Sequence, residues 1–82
     1  MWEPTALTAL KQLAEHMPAA ALDALEAMER MAATGFNYGR LTSKGQFWYL
    51  PTPKHLGLFY LDDGRTLTVV RVVDARRLRE LP

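Results

Sequence analysis

Residues 66–73, Thr-Leu-Thr-Val-Val-Arg-Val-Val, are the segment that is most informative about the fold class. Six of these eight residues are β-branched, a composition typical of a β-strand. Simple alternation puts apolar side chains on both faces, with Leu67, Val69 and Val73 on one and Val70 and Val72 on the other. Such a strand is expected to be central in its sheet and to have a neighbour on each edge. The spare segment for the second neighbour is Met1–Glu3, as a stub of edge strand, and the alternative is a strand from another chain.

Two further strands precede this segment. Residues 46–50, Gln-Phe-Trp-Tyr-Leu, are strand-like, and the following Pro51-Thr52-Pro53 ends them because proline cannot donate to a central ladder. A second strand runs over Leu56–Leu61, and Asp62-Asp63-Gly64-Arg65 carries the Asp-Gly signal of a tight hairpin. The sequence therefore predicts an antiparallel meander over 46–73, preceded by a loop at 36–45 and followed by a short helix over 74–81 that Asp74 caps.

The first third of the chain has a helical composition. Residues 5–33 are rich in Ala, Leu, Met and Glu, and Pro4 and Pro18 suit first-turn positions, where a helix leaves its N–H groups unpaired. Gly35 is expected to end the second helix. The stripes predicted to face the core are Leu7, Leu10, Leu13 (or Ala14) and Met17, then Leu22, Leu25, Met28 and Met31 (or Ala32). Because almost no loop separates the helices, they are expected to form a hairpin over 4–33.

The fold class that follows is α+β. An N-terminal helical hairpin packs on a three- to four-stranded antiparallel sheet in two layers, with a short C-terminal helix. The 82 residues are expected to form one domain over 1–82, because a chain of this length has room for a single core.

The composition argues against several functional classes. The chain has no cysteine and only two histidines, His16 and His55, so no disulfide or thiol nucleophile is present and no metal site or other cofactor is expected. No apolar run exceeds four residues, so no membrane span is predicted. The first residues lack the pattern of a signal peptide, and a cytoplasmic location is the expectation.

The net charge of +1 results from two opposed halves. Residues 1–33 hold five carboxylates and two cations, a charge of −3, whereas residues 34–82 hold eight cations and four carboxylates, a charge of +4. The basic half predicts a face suited to an anionic partner, with ordinary solvated surface as the alternative.

Four stretches in this order resemble the RelE/ParE toxin superfamily of type II toxin–antitoxin systems. They are Trp2–Leu7, Gly39–Leu41 with Phe47–Leu50, Leu58–Gly64, and Thr68–Val73 with Arg76-Arg77. The resemblance covers nearly the whole chain and implies one strand, a helical hairpin, a three-strand meander and a short terminal helix. The chain departs from the family in having at most three residues of first strand. It also has no arginine just ahead of the second meander strand and no tyrosine near its terminal basic residues.

The resemblance implies a toxin that acts as a ribosome-dependent mRNA interferase, a metal-independent endoribonuclease that uses the RNA's own 2′-hydroxyl as nucleophile. The implied partners are a cognate antitoxin protein, the ribosome and mRNA, and the implied outcome is growth inhibition. Two alternatives stay open: a ParE-like or otherwise non-nucleolytic toxin that inhibits a protein target such as DNA gyrase, and a non-toxic interaction module. The departures from the family pattern weaken the mRNA interferase hypothesis relative to the ParE-like one. An exposed sheet edge would also allow a homo-oligomer.

Cleavage of this kind requires cations around the phosphate and an acid or base that titrates near neutrality. The candidate catalytic residues are Arg71, Arg76, Arg77, His55 and Lys54, and the candidate nucleic-acid-binding residues are Lys44, Arg40, Trp48 and Tyr49. Trp48 and Tyr49 alternate across the sheet, so one of them offers a ring to a base. Structural alternatives are a solvated turn for Lys54 and His55, core packing for Trp48, and a cross-strand ion pair with Asp62 or Asp63 for Arg71.

Overall fold

The computed structural model describes residues 1–42 and 45–76. In chain order the elements are α1 (Pro4–His16), α2 (Pro18–Thr34), β1 (Arg40–Leu41), β2 (Trp48–Pro51), β3 (Leu56–Asp62) and β4 (Leu67–Asp74). The four strands form one antiparallel sheet in the order β1-β2-β3-β4. Helix α1 packs on β4 and α2 on β3, so the hairpin covers one face of the sheet. The predicted α+β fold, a helical hairpin on an antiparallel sheet, is confirmed.

Prolines and glycine set the helix boundaries where the sequence predicted them. Pro4 and Pro18 occupy the first turns of α1 and α2. A single residue, Met17, joins the helices: its N–H donates to the Leu13 carbonyl at 2.7 Å and its carbonyl accepts from the Ala21 N–H at 3.0 Å. Gly35 ends α2 in the left-handed region at a φ of 74°, where a glycine has no Cβ to clash.

Small side chains make up most of the buried face of α2. Its buried residues are Ala20, Ala21, Ala24, Met28 and Met31. The predicted stripe is correct at the two methionines but wrong at Leu22, whose side chain is 56% exposed. Because alanine has the smallest apolar side chain, an alanine face lets a neighbouring element approach more closely than a leucine face would. The larger side chains of the core come mainly from the strands, as Leu56, Leu58, Tyr60, Val69 and Val72.

The segment predicted as a loop over 36–45 contains strand β1. Arg40 pairs with Tyr49 and Leu41 with Trp48. A tight connection holds this pairing, since the Thr42 N–H donates to the Phe47 carbonyl at 2.8 Å. The glycines and polar residues of this segment are typical of a loop, and its two strand residues are too few to show an alternating pattern.

Asn37 fixes the chain between α2 and β1. Its Nδ2 donates to Oδ2 of Asp62 at 2.9 Å, and its Oδ1 accepts from the Gly39 N–H at 3.0 Å and from the Tyr60 hydroxyl. Gly39 lies so close to this cluster that a Cβ there would be 2.9 Å from both the Tyr49 carbonyl oxygen and Cζ of Tyr60. These contacts position Arg40, which follows directly.

Strand β4 is last in the order of the four named strands, but its outer edge also has a partner, so the prediction of a neighbour on each edge is confirmed. The predicted N-terminal stub does pair with it, as a parallel bridge between Trp2 and Val69. The Glu3 N–H donates to the Val69 carbonyl at 3.0 Å, and the Val69 N–H donates to the Met1 carbonyl at 2.8 Å. Within the described residues, β4 has no second strand neighbour beyond this bridge.

A β-bulge in β4 changes which valines face the core. Tyr60 pairs with Val69, but Phe59 pairs with Arg71, so one residue is skipped. The skipped residue, Val70, reverses the alternation, and Val69 and Val72 both face the helices. The predicted division of the apolar residues between the two faces is therefore wrong beyond Val69.

The predicted terminal helix over 74–81 is described only at its start. Ala75 and Arg76 form a 3-10 turn, and the Arg76 N–H donates to Oδ1 of Asp74 at 3.1 Å, as expected of a capping aspartate. Residues 77–81 of this prediction lie outside the described residues. In residues 1–42 and 45–76 no helix has the length and apolar character needed to cross a membrane.

Candidate nucleic-acid interface

Four side chains form a row across the sheet face opposite the helices. Arg40 pairs with Tyr49, Tyr49 with Phe59, and Phe59 with Arg71, so each strand contributes one residue at the same level. Directly opposed residues in an antiparallel sheet share a face, and their neighbours Leu58 and Tyr60 point to the core. We call Arg40, Tyr49, Phe59 and Arg71 the open-face row.

Two aromatic rings occupy the centre of the open-face row. The rings of Tyr49 and Phe59 are tilted by 44° with centroids 4.9 Å apart, a favourable arrangement for an aromatic pair. Tyr49 also lies over Gly57, where a Cβ would be 2.6 Å from the ring. Partial burial raises the pKa of the Tyr49 phenol. Both rings are half-buried and therefore leave part of their surface accessible.

The two arginines at the ends of the open-face row are exposed. Within the described residues, neither guanidinium of Arg40 or Arg71 forms a hydrogen bond or an ion pair. The described strand residues that alternate onto this face include no carboxylate. The row therefore presents two uncompensated positive charges beside two rings.

The carboxylates suggested as partners of Arg71 have other roles. Asp62 accepts from Asn37 and, at 2.9 Å, from the Gly64 N–H. Asp63 accepts from the N–H groups of Arg65 at 2.8 Å and Thr66 at 2.7 Å, and these bonds lower the pKa of its carboxyl. Both are turn-forming residues.

A shallow depression adjoins the row on its β1 side. Its volume is ≈ 260 Å³, and it is lined by Arg40, Leu41, Thr42, Tyr49 and Phe59. Three members of the open-face row thus border one concave surface.

The other cationic candidates lie at one end of the sheet. Lys54 and His55 occupy the turn between β2 and β3, where His55 has a positive φ of 72°. The Ala75 N–H donates to the His55 carbonyl at 2.7 Å, which brings this turn beside the end of β4. Arg71 lies four residues before Ala75, about 13 Å along an extended strand.

Arg76 is held at this sheet end by Asp74. Its Nε donates to Oδ1 at 3.0 Å and its Nη2 to Oδ2 at 2.8 Å, a bidentate pair. The hydrogen bonds and charge of Asp74 raise the pKa of Arg76 above its ordinary value. Its charge is partly compensated, unlike those of Arg40 and Arg71.

Three of the nine predicted site residues lie together in the open-face row: Arg40, Tyr49 and Arg71. Trp48 packs against the core on the helix-covered face, so of the two adjacent aromatic residues only Tyr49 lies on the open face. Of the alternatives given for Trp48, the structure shows core packing, and Tyr49 is the ring on the open face. Lys44 and Arg77 lie outside the described residues.

Sequence reasoning missed Phe59. A signal was present, since Phe59 lies between Leu58 and Tyr60 in a strand with one buried face. Its pairing with Arg71 depends on the β4 bulge, which no local pattern revealed.

A larger cleft lies at the opposite end of the sheet. It has a volume of ≈ 450 Å³ between the C-terminal end of α2, the N-terminal stub and the β3–β4 turn. Its lining includes Met28, Met31, Phe36 and Asp62 but no member of the open-face row. In the described ranges no group of three or more acidic or histidine side chains is arranged to hold a metal ion.

Comparison of the chain with protein-family models, with curated proteins and with solved structures finds no match in any of the three.

Proposed function

We propose that the protein is a toxin of the RelE/ParE type that acts as a ribosome-dependent mRNA interferase and binds messenger RNA on the open face of its sheet. The observation that carries this proposal is the open-face row, in which two arginines without a hydrogen-bond or ion-pair partner among the described residues flank two half-buried rings. Phosphates require cations, and unpaired bases stack on aromatic rings. No carboxylate on the described part of this face opposes a polyanion.

The charge distribution gives the RNA one preferred side. Residues 1–33, which include the helical hairpin, carry a charge of −3, and the hairpin covers the opposite face. A polyanion approaching the protein is repelled from the helices and attracted to the sheet. Orientation of this kind would place the RNA backbone along the open-face row.

In this proposal, binding and cleavage use different parts of the sheet. Arg71 and Arg40 hold phosphates, and Tyr49 supports a base. A proton-transferring group must lie within hydrogen-bond distance of the reacting atoms. His55, about 13 Å from Arg71 by strand length, would therefore act on a different nucleotide, with Lys54 beside it.

A second candidate function is inhibition of a protein target such as DNA gyrase, without RNA cleavage. The observation that favours it is the bidentate Asp74–Arg76 pair, which removes one free cation from the sheet end. In both candidates the partner is a cognate antitoxin protein, and the compartment is the cytoplasm. A homo-oligomer through the β4 edge and a non-toxic interaction module are the remaining alternatives.

Induced expression tests the proposal, with primer extension on translated messages as the readout of cleavage. The wild-type chain should arrest growth and produce new cuts. Arg71→Ala should abolish the arrest while leaving the fold intact, because the Arg71 side chain is exposed and has no partner in the part of the chain that the structure describes. Arg65→Ala is the matched control, since Arg65 is exposed in the β3–β4 turn, away from the row. Unchanged toxicity of Arg71→Ala would contradict the proposal.

His55→Ala separates the two candidate functions. If the protein cleaves RNA, this substitution should remove the cuts while the folded protein still binds RNA. Growth arrest by wild type without new cuts in any message would instead support a protein target. Arg76→Ala is expected to weaken toxicity less than Arg71→Ala, because Asp74 already compensates the charge of Arg76.

A further inference from the structure

We propose that the open-face row selects single-stranded nucleic acid by stacking and does not read base edges. This inference rests on the proposed function only in taking RNA as the natural ligand. It adds the strandedness of the ligand and the source of the selectivity.

The spacing of the open-face row fits a strand whose bases are free to turn. The row crosses four adjacent strands, and three strand spacings amount to about 14 Å. Arg40 and Arg71 stand at the ends of this span, with the Tyr49 and Phe59 rings between them. A backbone lying along the row places phosphates near the guanidinium groups and bases over the rings.

A duplex cannot use both parts of this surface. Its bases are paired and stacked on each other, so a flat sheet face meets only the phosphate backbone. A duplex would therefore contact only the two arginines, and the rings would contribute no stacking free energy to its binding. Single-stranded RNA should therefore bind more tightly than a duplex of the same sequence.

Apart from its arginines, the described part of this face has no amide or carboxylate side chain that could read base identity. Amide and carboxylate side chains are the usual partners of base edges besides arginine and lysine. The described strand residues that point to this face include no Asn, Gln, Asp or Glu. The nearby Asn37 already bonds to Asp62 through its Nδ2 and to Tyr60 and Gly39 through its Oδ1. Because every base has a π-face, the row should accept different sequences with similar affinity.

Fluorescence anisotropy with the full chain tests this inference. The probes are fluorescein-labelled oligouridylate and oligoadenylate, a mixed RNA strand and the duplex of that strand, with unlabelled heparin as a non-nucleic polyanion. The three single strands should bind within a few-fold of one another and at least about fivefold more tightly than the duplex. Heparin should compete only weakly.

Variants separate stacking from charge. Tyr49→Leu should weaken single-strand binding by at least about fivefold and leave duplex binding unchanged, whereas Tyr49→Phe should bind like wild type. Tyr38→Leu is the control, because Tyr38 is exposed but stacks on Phe36 outside the row. Replacing Arg40 and Arg71 together by alanine should reduce the salt slope of log K by about 1.4, from two lost phosphate contacts at roughly 0.7 each.

The outcomes distinguish this inference from the proposed function. Any one of three results would overturn the inference. They are equal binding of duplex and single strand, tight competition by heparin, and wild-type binding by Tyr49→Leu with an unchanged melting temperature. Growth arrest with new cuts would still support the interferase in those cases. Conversely, selective single-strand binding without growth arrest would support the inference and refute the toxin. If Tyr49→Leu does not fold, Phe59→Leu replaces it under the same criteria.

Discussion

Replacing Gly39 with alanine tests how tightly the sheet packs next to the open-face row. The added methyl carbon would lie 2.9 Å from the Tyr49 carbonyl oxygen and 2.9 Å from Cζ of Tyr60, and closer still to the Tyr60 hydroxyl. Tyr60 is fully buried and its hydroxyl donates to Asn37, so its ring cannot swing away freely. The substitution therefore has to displace either backbone or a core side chain.

The expected cost has two parts. Overpacking of a filled site costs about 1–3 kcal/mol. Displacing the Tyr60 hydroxyl from Asn37 adds about 1 kcal/mol for a lost hydrogen bond. The sum, about 2–4 kcal/mol, is a large fraction of the roughly 4–12 kcal/mol that a chain of this length has in total.

Urea denaturation of four chains measures this effect as a double-mutant cycle: wild type, Gly39→Ala, Tyr60→Phe and the double variant. Tyr60→Phe removes the atom nearest to the added methyl, so the double variant should be more stable than the two single losses predict, by about 1 kcal/mol. Gly45→Ala is the control, because a Cβ at Gly45 meets no atom within 4 Å and only its φ of 73° opposes the change. If Gly39→Ala costs no more than Gly45→Ala, or if the cycle shows no coupling, the steric reasoning is refuted.

Two other predictions follow from the same structure. Gly57→Ala places a Cβ 2.6 Å from the Tyr49 ring, which can turn aside, so the free energy of unfolding should fall by only about 1 kcal/mol. The affinity for single-stranded RNA should fall as it does in Tyr49→Leu. Retention of full affinity would contradict the role of the ring. Burial raises the pKa of Tyr60 above its ordinary value, so the unfolded chain ionises first and stability should decline as the pH rises beyond about 10. Denaturation midpoints across that range should decline less steeply in Tyr60→Phe than in wild type, and equal slopes would contradict this account.

The helical half could be predicted because its signals are local. Pro4, Pro18 and Gly35 each act on the backbone of their own turn, and the structure places all three at helix ends. The error at Leu22 has a physical reason, since the amount of apolar surface on a helix does not reveal which stripe faces the sheet. Ala24, with a far smaller side chain, is the residue with no exposed surface.

The open-face row could be predicted only in part because it is made by long-range pairing. The sequence alone makes Tyr49 a candidate because it is aromatic, and Arg71 a candidate because it is a charged residue between valines. Their common level on the sheet depends on Phe59, which pairs with both. Arg40 is a candidate from its charge alone, but the sequence pattern predicts a loop where the structure has the strand that carries it, so its place beside Tyr49 does not follow from the sequence.

The bulge in β4 links the core to the candidate site. If β4 had no bulge and its regular register continued beyond Val69, Val70 would pair with Phe59, and Arg71 would pair with the fully buried Leu58. Arg71 would then point towards the helices, where an uncompensated guanidinium has a large desolvation cost. The extra residue instead returns Val72 to the core and turns Arg71 to the open face, beside the two rings. A single backbone irregularity thus both completes the core and places the cation on which the proposed RNA binding depends.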